Sequence, residues 1–113
     1  MLFGSRMYTV NDIVQRTGIT RKTLFYYDHI DLLKPDAREG VQERKMYTEE
    51  SYRKLLKILE YRDAGLHINE IKQVLDMNRR ERRKFLQSVI ERMEKENEDN
   101  RKNIRRVQNL IDN

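Results

Sequence analysis

Cysteine is absent from the sequence, which excludes disulfides, thiolate metal sites and thiol redox sensing and fits a reducing compartment. Histidine occurs twice, as His29 and His67, and neither has the neighbouring ligands that a metal site needs. No apolar run approaches the roughly 18 residues of a membrane-spanning helix, and the N-terminus lacks the hydrophobic stretch of a signal peptide. The expectation is a cytoplasmic protein that makes no membrane contact. No nucleophile–base pair, phosphate-binding loop or metal constellation can be assembled either, which argues against an enzyme and against a cofactor. Proline occurs once and glycine four times, so helix breakers are few and each one marks a boundary.

The 113 residues leave room for about one domain. Lys and Arg number 24 against 19 Asp and Glu, a net charge of +5. Residues 1–78 hold 13 basic and 12 acidic side chains, net +1, whereas residues 79–113 hold 11 and 7, net +4. A polyanionic partner is permitted, but the excess that would attract it sits mostly in the tail.

Residues 1–7, with a second methionine at Met7, are set aside as an N-terminal extension. Thr9 is followed three positions later by Asp12, and Tyr8 and Ile13 stand where a hydrophobic staple would sit, so a helix is expected to begin at Val10. Val10, Ile13 and Val14 keep one apolar side until Gly18. Thr20 is a second cap, with Ile19 and Leu24 as its staple. Two short helices joined by a glycine-containing turn form a helix-turn-helix, with Arg21, Lys22 and Thr23 at the leading end of the second helix.

Beyond Asp28 the chain is apolar at Ile30, Leu32 and Leu33, meets Pro35, and becomes apolar again only at Met46 and Tyr47. The polar stretch DAREGVQER between them predicts two short strands and a loop, an exposed hairpin or wing made basic by Arg38, Arg44 and Lys45. Thr48 then caps a third helix whose apolar positions are Tyr52, Leu55, Leu56 and Leu59, and Gly65 stops it. His67 takes the cap position of a fourth helix, with Glu70 three residues on and Ile68, Ile71, Val74 and Leu75 on the buried side.

From Arg79 to Asn113 neither glycine nor proline occurs. Leu86, Ile90, Met93, Asn97, Asn100, Ile104, Val107 and Ile111 alternate spacings of four and three, a heptad seam about four repeats long. So narrow a stripe needs a partner, and the pattern points to a homodimer. In an antiparallel pair every apolar seam residue meets an apolar one and Asn97 meets Asn100 of the second copy; a parallel pair would instead stack each asparagine on itself. The antiparallel arrangement is preferred. Arg79, Arg80, Arg82, Arg83 and Lys84 oppose the dipole of the helix they begin; they are read as a solvated collar in preference to a DNA or partner contact.

YTVNDIVQRTGIT, TLFYYDHIDLLKP, KMYTEE and ILEYRDAGLHINEIKQVL together resemble the DNA-binding region of MerR-family transcriptional regulators, from about Tyr8 to Met77. The resemblance implies a mainly α fold: a winged helix-turn-helix with a small β-hairpin wing over residues 8–78, including a helix pair, followed by a long coiled-coil dimerisation helix over 79–113, with no separate effector domain. It implies that Thr20, Arg21 and Lys22, with Thr23 beside them, enter the major groove and that Tyr26 or Tyr27 touches phosphate while the other tyrosine packs in the core. Arg38, Lys45 and Tyr47 would supply wing contacts and Arg62 a backbone contact. Members of the family are similar in being dimers that bind a pseudo-palindrome in double-stranded DNA and distort it so that RNA polymerase can engage. An effector normally switches them, and none is named by these residues.

The sequence departs from the family pattern in three places. Phe25 stands where arginine is frequent, Arg44-Lys45 replaces a usual Tyr-Arg, and His67 replaces a Ser or Thr cap. A competing reading makes the chain a protein-interaction module in which the coiled coil carries the function and the winged helix docks a protein. Salt-sensitive binding to duplex DNA separates the two.

Overall fold

The computed structural model describes residues 6–112. Their elements run β1 (Met7–Thr9), α1 (Val10–Thr17), α2 (Arg21–His29), β2 (Ala37–Glu39), β3 (Arg44–Thr48), α3 (Glu49–Asp63), α4 (Ile68–Val74) and α5 (Arg79–Asp112). This is the mainly helical winged architecture that the sequence leads one to expect. Residues 1–5 of the expected extension, and Asn113, lie outside the described residues.

Local chemistry sets most boundaries. Thr9 accepts from the Asp12 N–H at 3.0 Å, and Asp12 accepts in return from the Thr9 N–H at 2.9 Å, a reciprocal capping box. Those hydrogen bonds hold the Asp12 carboxyl below its ordinary value. Gly18 ends α1 at φ 78°, its N–H reaching the Val14 carbonyl at 2.9 Å, a left-handed cap that suits glycine. Two residues later Thr20 accepts from the Thr23 N–H at 3.0 Å and starts α2. Thr48 does the same for α3 through the Ser51 N–H, and Asn78 with Glu81 forms a second reciprocal cap ahead of α5.

The wing strands belong to a three-stranded antiparallel sheet of order β1-β3-β2. The pairing of β1 was not foreseen: Met7, assigned to the extension, lies opposite Thr48, and Tyr8 lies opposite Tyr47. Three residues are too few to show strand periodicity, and the extended backbone leading into the Thr9 cap is what lets the pair form. Tyr8 also stacks on Tyr52, ring centroids 4.5 Å apart, and its hydroxyl donates to Glu49 at the head of α3.

The chain divides into two compact units, one ending at Lys72 and the other beginning at Gln73, inside α4; the domain edge expected from the sequence, 78/79, is the start of α5. In the first unit Ile13, Leu24, Tyr27, Leu32, Leu33, Tyr47, Leu55, Ile58 and Ile71 form the centre of the core. The buried side of α3 differs from the expected stripe: Ile58 is fully buried whereas Leu56 is exposed. Leu55, Ile58 and Leu59 satisfy the same helical spacing as the expected set, and the sequence alone does not choose between the two rotations. In the second unit α5 is a single helix in which Val89 is buried, and from Glu94 onward its described residues are exposed.

Nothing lies within 4 Å of where a Gly18 side chain would begin, so substitution there tests backbone strain alone. Gly18→Ala should cost about 1 kcal/mol by chemical denaturation, and Gly18→Asn less, because asparagine tolerates the left-handed region; equal stability of all three proteins would contradict this cap.

Candidate nucleic-acid interface

The leading turn of α2 points its polar side chains outward. Thr20, Arg21 and Lys22 are exposed and Thr23 is half-buried. Arg21 Nη2 lies 3.4 Å from Asn11 Oδ1 of α1, which ties the two helices of the helix-turn-helix together on the outside. Lys22 enters no ion pair or side-chain hydrogen bond among the described residues.

The adjacent tyrosines separate by helical geometry. Tyr27 is 2% exposed and sits in the core, whereas Tyr26 is 50% exposed, so of the two only Tyr26 offers its ring and hydroxyl to a partner. Arg62, on α3, donates to Asp63 Oδ1 at 3.1 and 3.0 Å and remains exposed.

One turn on, Asp28 is buried, 7% exposed, and collects three cations. Lys34 Nζ lies 3.1 Å from Oδ1, and Lys45 Nζ and Arg38 Nη2 lie 3.2 and 3.3 Å from Oδ2. Arg38 and Lys45 face each other across the β2–β3 ladder, so one carboxylate joins the end of α2, the linker and both wing strands. Burial pushes the Asp28 carboxyl up, but the hydrogen bonds from Lys34, Lys45 and Arg38 outweigh it and hold it below the usual value. Lys34 also pairs with Asp31 at 2.9 Å.

Lys45 has a second contact, its Nζ lying 4.0 Å from the centre of the Phe25 ring. Beside this pair a groove of about 440 Å³ opens between α1, α2 and the wing, with Arg21, Phe25, Arg44 and Lys45 on its walls. The wing tip turns through Gly40 at φ 76° and Glu43 at φ 50°, and presents Val41 fully to solvent.

Tyr47, expected as a wing contact, requires correction. Its side chain is completely buried, and its hydroxyl has no hydrogen-bond partner among the described residues. Burial, with the Asp28 charge adding to it, pushes that hydroxyl up to about 12, so it stays neutral. The reason is the pleat: successive side chains of the central strand β3 alternate between the two faces of the sheet, and Tyr47 takes the buried one.

In the second unit the seam occupies one side of α5. Leu86 and Met93 are half-buried, while Ile90, Asn97, Asn100, Ile104, Val107 and Ile111 are exposed, with Ile111 at 71%. Six of these eight positions on the 34-residue helix are thus open to water.

Comparison with known proteins now bears on this geometry. Residues 8–78 match the family model described as MerR HTH family regulatory protein. The chain belongs to the MerR family. It is 33% identical over 84 residues to the HTH-type transcriptional activator mta of Bacillus subtilis, covering 74% of this chain and 32% of that protein. It is 35% identical over 69 residues to the activator TipA of Streptomyces coelicolor, covering 61% and 27%. The chain thus spans about a third of the length of the curated relatives it matches. Among solved structures, the N-terminal region of the B. subtilis multidrug transporter activator, MtaN, superposes with a TM-score of 0.78 at 28% identity, covering 92% of this chain and 97% of that one. HiNmlR, described as a MerR family regulator lacking the sensor domain and bound to promoter DNA, shares the fold at a TM-score of 0.61 and 18% identity, covering 88% and 79%.

Within the MerR frame, two departures noted separately in the sequence meet in space. Phe25 and Lys45 form the cation–ring pair, which gives Lys45 an aromatic shelf. Asp28 was missed as a site residue. Its only sequence signal is an acid directly behind YY in a helix whose following wing is rich in cations.

Asp28→Asn removes the charge while keeping the shape, and leaves three cations facing one another. Stability should fall by about 2–3 kcal/mol at neutral pH. Because the folded-state value is depressed, the contribution of this carboxylate is complete above an unfolded-state value of about 3.9 and is lost as pH falls below it. Acid titrations of stability should therefore be shallower for Asp28→Asn than for the parent below that point; parallel curves would refute the assignment.

Proposed function

We propose that this MerR-family chain is a dimeric, sequence-specific DNA-binding transcriptional regulator. The observation that carries the reading is the leading turn of α2, where Lys22 is exposed and without a side-chain partner among the described residues, next to a wing anchored through Asp28. Thr20, Arg21, Lys22 and Thr23 are assigned to the major groove, where short polar and cationic side chains on a helix N-terminus reach base edges. Tyr26 is assigned to phosphate. Arg38, Lys45 and Arg62 hold the backbone with whatever donors their internal pairs leave over.

In this reading residues 8–78 form the DNA-binding region and α5 the dimerisation helix. Two copies joined antiparallel stack Leu86 on the partner's Ile111, Ile90 on the partner's Val107, Met93 on the partner's Ile104 and Asn97 on the partner's Asn100. The same register sets Glu94 beside the partner's Arg101. A twofold protein reads a pseudo-palindromic site, and two reading helices held at a fixed separation act on the promoter by distorting it toward a form RNA polymerase engages. The transcriptional activators among its relatives support this reading.

Fluorescence anisotropy against the chain's own promoter duplex and a shuffled duplex tests it. Binding should favour the promoter and weaken steeply with salt. Lys22→Ala should cost about 1–3 kcal/mol on the promoter and less on the shuffled duplex; an equal loss on both would remove Lys22 from base recognition. Sedimentation should find a dimer, and replacing both Asn97 and Asn100 by leucine should tighten it while loosening its register. A monomeric parent would defeat the dimer.

A further inference from the structure

The basic collar at the start of α5 has no role in the reading above. Arg79, Arg80, Arg82, Arg83 and Lys84 fall within six residues, and at a helix N-terminus each works against the dipole. Glu81, the acid among them, is committed to Asn78, exchanging hydrogen bonds of 3.0 and 2.9 Å with it. No ion pair or side-chain hydrogen bond engages the five cations among the described residues. At 100° per residue they cover an arc of about 200° around the helix, too broad for a stripe that packs on one neighbour. Arg79 and Arg83 also hold the two positions at which the heptad seam would continue before Leu86, so the apolar row stops and charge takes over.

The first unit supplies modest attraction for a polyanion. Residues 1–72 hold 13 basic and 11 acidic side chains, net +2, and Lys34, Arg38 and Lys45 are drawn to Asp28 while Arg53, Lys57 and Arg62 are paired with neighbouring acids. We infer that the collar is a second DNA-contacting surface, which holds backbone phosphates flanking the recognised site and supplies sequence-independent affinity. This rests on the DNA-binding reading. Arginine predominance fits phosphate, whose oxygens match the guanidinium fork.

The test compares the full chain with a variant in which all five residues become glutamine, leaving Asn78 and Glu81 intact. Anisotropy is measured across a salt series on a duplex limited to the operator, on one lengthened at both ends, and on shuffled versions of each. The expected parent binds the longer operator more tightly. In the variant that gain disappears, affinity falls roughly tenfold, the slope of log affinity against log salt becomes shallower by about 2 or more, and the preference for operator over shuffled DNA is kept. The thermal midpoint of the variant should rise, since the dipole is relieved; a structural role would move it the other way. Equal slopes and an equal gain from lengthening in both proteins would overturn the proposal while leaving the regulator reading intact, and would assign the cations to an acidic protein surface. A parent that shows neither operator preference nor salt dependence would overturn both.

Discussion

A single buried carboxylate governs the geometry of the reading surface. Asp28 lies near the end of α2, whose leading turn is exposed, and its oxygens take one cation from the linker and one from each wing strand. Wings are small, exposed and poor in apolar side chains; this one has Met46 half-buried and Tyr47 buried to fix it, with Val41 in open solvent. Ionic cross-linking through a desolvated acid therefore does what a core cannot do there. Such an arrangement adds less stability than its three short distances suggest, because desolvating the carboxylate offsets much of the attraction. Its value lies in angle: the wing cannot swing relative to α2 without separating charges in a low-dielectric setting.

Helix boundaries were legible because they are written locally. Thr9 with Asp12, Thr20, Thr48 and Gly18 each act within four residues of themselves, and the structure places α1, α2 and α3 where those residues require. The seam on α5 was equally plain, since its repeat runs unbroken and its far half is exposed among the described residues. Tyr47, Leu56 and β1 were not legible, and for one reason. Each depends on which neighbour a side chain or strand meets across the fold, and neither residue type nor spacing carries that information for a three-residue strand or a helix with two equivalent apolar rotations.

The site itself was legible in its outward half. Arg21, Lys22 and Tyr26 are exposed as their positions on the helix imply, whereas the pairing of Arg38 and Lys45 with Asp28 had to be seen. Charge counted along a sequence treats every lysine and arginine alike. Folding divides them into those that hold the protein together and those left without an ionic partner, and Lys22 and the five cations at the start of α5 fall in the second group among the described residues.

The outward placement of Lys22 has a consequence for how such a scaffold diversifies. The residue is exposed and enters no ion pair or side-chain hydrogen bond among the described residues, the helix start being secured by Thr20 and Thr23 and the helix end tied to the wing by Asp28. Exchange of that side chain carries almost no folding penalty, and the same holds in good part for Tyr26. On the proposed reading, descendants of this chain can therefore drift in what they recognise one residue at a time without first acquiring a stabilising mutation elsewhere.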